Sequence, residues 1–271
     1  MSICIYHGNC ADGFGAAWVV KQALGNIEFF PGTYQTPPPD VSGKDVIMVD
    51  FSYKRPVLEK MSAEANSILI LDHHKTAAED LVNLPANVVC KFDMSHSGAM
   101  LAWEHFFPNQ EPPPLLLHIE DRDLWRFALK NTRQIQANVF SYPYDFQVWD
   151  ELMKTPTATL AIEGEAIERK HFKDIQELLG VTTRDMIIGG YRIQIANLPY
   201  TLVSDAAHSL AKDKPFSGCY WDTPKGRVFG LRSDDNGVDV SAIAKQYGGG
   251  GHQHAAGFTV SFAQAAVFEC C

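Results

Sequence analysis

The run Ser67-Ile68-Leu69-Ile70-Leu71-Asp72-His73-His74 is an apolar stretch that stops on one carboxylate and two imidazoles. That donor set suits a first-row divalent ion such as Mn2+. The apolar residues read as an interior strand of a parallel sheet covered on both faces. Ligands of such sheets collect beyond the carboxyl ends of the strands, which is where Asp72, His73 and His74 would sit. A single strand-end acid is ordinarily just a helix N-cap. Here the pattern recurs. Residues 3–6 lead into His7, Cys10 and Asp12, and residues 46–49 lead into Asp50. Residues 115–119 lead into Glu120, Asp121, Arg122 and Asp123, although this last run reads equally well as helix. Several such ends converging on one sheet edge point to a metal cluster.

A second chemical signal is Gly248-Gly249-Gly250-Gly251-His252-Gln253-His254-Ala255-Ala256-Gly257-Phe258, preceded by Arg232 and Ser233. Consecutive glycines free the backbone to turn its N–H groups onto an anion. Arg232 adds a planar donor for phosphate and Ser233 a hydroxyl. An ion pair of Arg232 with Asp234 or Asp235 is the competing assignment.

Elements must position these groups. The alternation predicts a strand at 2–6, a helix over 13–24, strands near 46–50 and 67–71, and a helix near 97–107. This is α/β with a parallel sheet. Prolines 37–39 and 112–114 mark loops. Residues 155–180 read as one polar helix, capped at Thr155 or Thr157 and closed by Gly180. Strands are expected at 186–188, 191–196, 227–231 and 257–262, with helices at 201–212 and 239–247. The organisation is therefore an N-terminal α/β domain (1–150), a helical linker (151–185) and a smaller α/β domain (186–271).

Composition narrows the function classes. The 271 residues carry a net charge of −9, and residues 1–120 alone account for −7. Acid is thus concentrated around the candidate ligands, as a cation site requires. The same balance argues against non-specific binding of long duplexes, which needs basic tracks. The apolar runs are too short to span a membrane. No basic segment precedes the first strand, so no signal peptide and a cytoplasmic location are expected. The six cysteines show no C-x-x-C spacing and fit reduced thiols.

Taken together, Asp12-Gly13, Asp50, Asp72-His73-His74, Asp121 and the Gly-Gly-Gly-Gly-His-x-x-Ala-Ala-Gly-Phe stretch resemble the DHH/DHHA1 phosphoesterases over about residues 3–262. The resemblance implies an α/β DHH domain carrying a metal pair and a DHHA1 domain that binds substrate. Size places the chain with the nanoRNase and linear-dinucleotide class. The implied activity is hydrolysis of short single-stranded oligonucleotides or dinucleotides to mononucleotides by a metal-activated hydroxide, with Mn2+ as the ion. Asp50 would bridge two ions, with His7 on one and Asp12, His73 and Asp121 on the other. His74 would face the phosphate, Asp72 would orient an imidazole, and Arg122 or Arg232 would stabilise phosphoryl charge. Arg232, Ser233, Gly249, Gly250, Gly251 and His252 would grip the nucleotide's phosphate end. His254 is a weaker candidate, and Asp123 is read as a loop-positioning residue. Trp125, Tyr144 and Trp149 are candidates for base stacking, with core packing the stronger assignment.

One position departs from the family pattern. Cys10 stands where Asp-x-Asp-Gly has its first acid. It would be a thiolate ligand favouring Zn2+ or Fe2+, a spectator that leaves one ion a ligand short, or a structural buried thiol. A sensor that binds nucleotides without hydrolysing them, and a pyrophosphate or bisphosphate hydrolase, are the alternative functions. A homodimer stays open.

Overall fold

The computed structural model describes residues 1–34 and 36–268. The chain divides into two compact units, Met1–Glu168 and a second from Arg169 onward.

The first unit opens with β1 (Ser2–His7), α1 (Ala11–Leu24), β2 (Glu28–Gly32), β3 (Asp45–Val49), α2 (Arg55–Glu64) and β4 (Ser67–Asp72). It continues with α3 (Lys75–Asp80), β5 (Val88–Phe92), α4 (Gly98–Phe106), α5 (Pro114–Asp123), α6 (Thr132–Val139) and α7 (Phe146–Leu152). Its five strands are all parallel, in the order β2-β1-β3-β4-β5. Successive side chains of a strand face opposite ways, so each strand feeds two cores. Ile3, Ile5, Val46, Met48, Ile68 and Ile70 pack on one face with Leu58 and Met61 of α2. Cys4, Ile47, Val49 and Leu71 pack on the other with α1 and α4. This double burial is why the strands read as unbroken apolar runs. Residues 115–119 are helical, so three of the four candidate strand ends are strand ends.

Asp150 of α7 ties that helix to α1. Its carboxylate accepts from Trp18 Nε1 (2.8 Å), Lys21 Nζ (3.1 Å) and Gln22 Nε2 (3.1 Å). Burial works against the charge, but these donors outweigh it and hold the carboxyl below its usual value. A depressed pKa contributes stability that is present above the unfolded value near about 4 and is lost as pH falls through the folded value. Asp150→Ala should therefore cost about 1–2 kcal/mol in urea unfolding at pH 7. The deficit should shrink at pH 3; equal deficits at both pH values would contradict this assignment.

A long helix, α8 (Thr157–Thr182), contains the division between the units. Gly180 lies inside it rather than closing it, and contributes nothing but a missing methyl on an open side. The helix is no free-standing linker: Leu160 and Ala161 belong to the first unit's core and Ile175 to the second's.

The second unit holds β6 (Thr183–Ile188), β7 (Tyr191–Asn197), α9 (Val203–Ala211), β8 (Ser217–Thr223) and β9 (Gly226–Arg232). It ends with α10 (Val240–Gln246), β10 (Gly250–Gly251), β11 (Ala255–Val260) and α11 (Phe262–Ala265). Its sheet runs β10-β11-β9-β8-β7-β6 and is antiparallel except between β7 and β8. Val203, Ala206 and Ala207 of α9 cover one face. Phe229, Phe258, Ile243 and Phe268 fill the other. No helix among the described residues is long and apolar enough to cross a membrane.

Candidate metal centre

Parallel strands with matched register bring their ends into a row. Tyr6 pairs with Val49 and Val49 with Leu71, so the following residues His7, Asp50 and Asp72 stand side by side on one edge. Asp50 lies in the left-handed region (φ +53°), a conformation that is costly away from glycine and gathers at functional sites. The turn there aims its carboxylate back along the edge. Oδ2 lies 3.3 Å from His7 Nδ1, and Oδ1 lies 3.1 Å from His73 Nε2.

Two groups of potential ligands share Asp50. One is His7, Asp50 and His74; the other is Asp12, Asp50 and His73, with the three donor atoms of each group within 4.8 Å of one another. His74 Nδ1 sits 2.6 Å from Asp72 Oδ1, which also accepts the backbone N–H of His73 (2.8 Å). Ser52 Oγ donates to the other Asp72 oxygen at 3.1 Å. Asp72 therefore anchors the His73-His74 turn and orients the His74 ring from behind, as second-tier carboxylates do in metal sites.

Asp12, at the start of α1, faces the N-terminus of α4. Its oxygens accept from Gly98 N (2.6 Å) and Ala99 N (3.0 Å), where the helix end favours negative charge. The approach is possible because residue 98 lacks a side chain. A Cβ there would lie 2.3 Å from Asp50 Cβ and 2.9 Å from Asp12 Oδ2.

The acid that reaches the cluster from α5 is Asp123, not Asp121. Asp123 Oδ2 is 3.5 Å from His73 Nε2. Asp121 instead accepts from Ala128 N (2.8 Å), Leu129 N (3.1 Å) and Thr132 Oγ1 (2.6 Å), fastening the chain after the helix. Two residues apart on a helix are some 200° apart around its axis, so only one of the pair can face His73. The sequence reading had Asp121 on an ion and Asp123 positioning the loop, whereas in the structure Asp123 lies nearer His73 and Asp121 holds the loop. Asp123→Asn should weaken Mn2+ binding at least about tenfold with the fold intact, the scale of other supporting groups at metal sites. Asp121→Asn should instead cost about 1–3 kcal/mol of stability while the number of ions bound is unchanged. Calorimetry on both variants separates the two; the opposite pattern would restore Asp121.

The electrostatics call for cations. Burial, then the charges of Asp50 and Asp123, pushes the Asp12 carboxyl well above its ordinary value. Burial and the Asp50 charge also raise Asp123. Burial opposes the charge on Asp50 as well, but the adjoining His7 and His73 imidazoles prevail and hold it well below the carboxylate range. Against burial, the same contacts raise His7 and His73. Asp50 Oδ2 is buried and accepts no hydrogen bond among the described residues. Carboxylates and imidazoles crowded in this way, with a buried acceptor left over, fit first-row divalent metal binding. The Cys10 thiol, half-buried before α1, is pushed up by burial and by Asp50, and lies close enough to His7 to act on its proton.

Other expected residues fall as follows. Trp149 is fully buried and belongs to the core, so it is no stacking platform. Tyr144 packs on Phe14 at 5.5 Å. Arg122 stacks on Trp125 and Phe140. In the second unit Arg232 donates to Leu231 O (2.8 Å) and Ser204 Oγ (2.9 Å). Ser233 Oγ meets His254 Nδ1 at 3.0 Å. Half of the glycine run is a strand: Gly250 and Gly251 pair with Gly257 and Ala256. A Cβ at residue 249 would lie 2.0 Å from Gly257 O, so close strand approach explains that glycine without a ligand. His252 N donates to Ala255 O at 2.8 Å in the connecting turn.

The sequence reading missed three contributors. Ser52 lies two residues past Asp50, and nearness in sequence was its only signal. Gly98 announced nothing. Tyr34 packs edge-on to His7 (5.5 Å) and His74 (6.2 Å), and no local pattern marked it.

Two solved structures share this fold. RecJ from Thermus thermophilus, solved in complex with Mn2+, aligns over 98% of this chain and 51% of its own, with a TM-score of 0.53 at 14% identity. This chain thus spans about half of RecJ. A pGpG-specific phosphodiesterase, PggH, from Vibrio cholerae aligns over 98% of this chain and 95% of its own, with a TM-score of 0.50 at 13% identity. No family model matches. In sequence, the chain belongs to the family of the Uncharacterized protein R106 of Acanthamoeba polyphaga mimivirus. It is 30% identical to that protein over 292 residues, covering 96% of this chain and 68% of the relative.

Proposed function

We propose that this protein is a metal-dependent phosphodiesterase that hydrolyses short single-stranded oligonucleotides or linear dinucleotides to mononucleotides. The carrying observation is that one buried carboxylate, Asp50, belongs to both ligand groups. A shared carboxylate is what two ions acting on one phosphoryl group need. Mn2+ in the RecJ structure and the pGpG specificity of PggH, two proteins of this fold, support the ion and the substrate class.

His7 and His74 with Asp50 would hold one ion, and Asp12, His73 and Asp123 with Asp50 the other. Such ions supply Lewis acidity at a phosphoryl oxygen and lower the pKa of water. The protein's own part is orientation. Asp72 accepts a hydrogen bond from the Nδ1–H of His74, which fixes the tautomer and turns Nε2 away from Asp72. The Gly98 and Ala99 N–H groups hold both Asp12 oxygens in place. Arg232, Ser233, His252 and the backbone of Gly249, Gly250 and Gly251 would take the nucleotide's terminal phosphate. In this reading residues 1–150 are the catalytic domain and 186–271 the substrate domain.

A substrate panel tests the reading: pApA, a 5′-phosphorylated trinucleotide, a longer single strand and pyrophosphate, each with Mn2+ and with chelator. Release of mononucleotides from the short strands, abolished by chelator, is the expected result. Turnover of pyrophosphate alone would make the protein a phosphoanhydride hydrolase. Binding of dinucleotides without turnover by any divalent ion would make it a sensor.

A further inference from the structure

The first unit carries a second built arrangement beside the metal centre. Five side chains of α5, the turn after it, and α6 with its C-terminal residue alternate ring and cation in the order Phe127, Arg133, Trp125, Arg122, Phe140. Arg133 Cζ lies 3.7 Å from the Phe127 centroid and 5.7 Å from that of Trp125. Arg122 Cζ lies 5.2 Å from Trp125 and 5.1 Å from Phe140. The Trp125 and Phe127 rings meet edge to face at 4.9 Å.

Two features set this ladder apart from ordinary surface packing. Trp125 (φ +58°) and Phe127 (φ +48°) both lie in the left-handed region, which bulky side chains rarely adopt. Strain of this kind persists where the surroundings enforce it, here through the Asp121 carboxylate that holds the next two N–H groups. The second feature is charge. Two guanidinium groups share the Trp125 ring on a protein of net charge −9. Arg122 also directly precedes Asp123, whose carboxylate enters the metal centre, and its charge acts on that carboxyl. Arg122 is thus the member of the ladder nearest the site in sequence.

We infer that this ladder binds the single strand leading away from the scissile phosphodiester, a site distinct from the ion ligands and resting on the phosphodiesterase reading above. A guanidinium stacked between rings has its faces covered and its donors in its own plane, at the edge of the stack. It is pre-ordered, so little freedom is lost when it grips a phosphate. Arg122 and Arg133 take successive backbone phosphates. Phe140, 46% exposed at the end of the ladder, stacks a base without regard to its identity. The ladder adds affinity only for strands long enough to reach it, so it sets the length preference of the enzyme.

Anisotropy titrations with the whole chain, Mn2+ and labelled phosphorothioate adenylates of two and seven nucleotides test this independently of turnover. Phe140→Ala and Arg133→Gln should each weaken heptanucleotide binding about tenfold. Both should leave the dinucleotide within about twofold and pApA hydrolysis unchanged, because neither touches the metal centre. Arg133→Gln should also flatten the logarithmic salt dependence of heptanucleotide binding by about 0.7. Arg133→Lys should keep that slope while losing part of the affinity, since it retains the charge but not the plane. Phe140 is exposed, so its removal leaves the fold in place, and melting curves check this. Heptanucleotide binding that ignores the ladder, or falls in parallel with dinucleotide binding, overturns the inference while pApA hydrolysis leaves the phosphodiesterase reading standing. A wild-type protein that neither binds nor cleaves any strand overturns both. Strand binding that depends on the ladder without cleavage supports the ladder and removes only the catalytic reading.

Discussion

Asp50→Asn should abolish Mn2+-dependent hydrolysis, with a loss of at least about a thousandfold, the scale expected when charge stabilisation worth about 4 kcal/mol is removed from the reacting phosphoryl group. Asn is the replacement of choice because it tolerates the left-handed backbone that Asp50 adopts. It also keeps a partner for His7 and His73 while removing one of several crowded carboxylates. The metal-free variant should thus stay folded by circular dichroism. What it should lose is stabilisation by the ion. Wild type should gain about 2.7 kcal/mol at an Mn2+ concentration about one hundred times its Kd, and the variant little. A variant that hydrolyses at near wild-type rate would place the chemistry elsewhere.

Gly98→Ala should be nearly as damaging although no functional group is removed. The added Cβ would sit 2.3 Å from Asp50 Cβ and 2.8 Å from Asp50 Cα, which are backbone-anchored atoms with no flexible end to yield. Either α4 retreats, taking its N–H groups off Asp12, or the Asp50 turn moves. Overpacking of this sort costs about 1–3 kcal/mol. A displacement of about 1 Å between reacting groups costs about a hundredfold in rate. Reduced melting temperature together with a fall of that size in hydrolysis is the expected pair of results. Gly180→Ala is the matching control: it lies in the last turn of α8 with nothing within 4 Å of the added methyl. That change should stabilise by about 0.5–1 kcal/mol and leave activity alone. Full activity in Gly98→Ala would show that the close approach of α4 to Asp50 is not needed.

What the sequence disclosed and what it hid follow from periodicity. Strands buried on both faces are continuous apolar runs, so β1, β3 and β4 were legible, and with them His7, Asp50 and Asp72 as neighbours. The edge strands β2 and β5 mix exposed and apolar residues, Pro31 and Lys91 among them, and gave no clear run. β8 went unread too, its Cys-Tyr-Trp core lacking an aliphatic stretch. The preference for Asp121 over Asp123 came from the family resemblance, because the run's own pattern fits strand and helix alike. If residues 115–123 were a strand, both acids would share a face and the first would be as good a ligand as the second. As a helix, the same spacing puts them on opposite sides. The glycine run shows the opposite difficulty, because a backbone packed against a neighbouring strand and a backbone wrapped on an anion need the same residue. Gly98 and Tyr34 reach the centre from distant segments, and only the folded chain brings them there.

The most direct test of the shared Asp50 carboxylate is a calorimetric titration of Mn2+ into the metal-stripped chain at pH 6.5 and pH 8. The imidazoles of His7 and His73 are held well above their ordinary range and must be neutral to ligate. Binding should therefore release protons and tighten as pH rises. The account predicts two ions per chain in wild type and fewer in Asp50→Asn. No binding, or the same number of ions in wild type and variant with no dependence on pH, would contradict it.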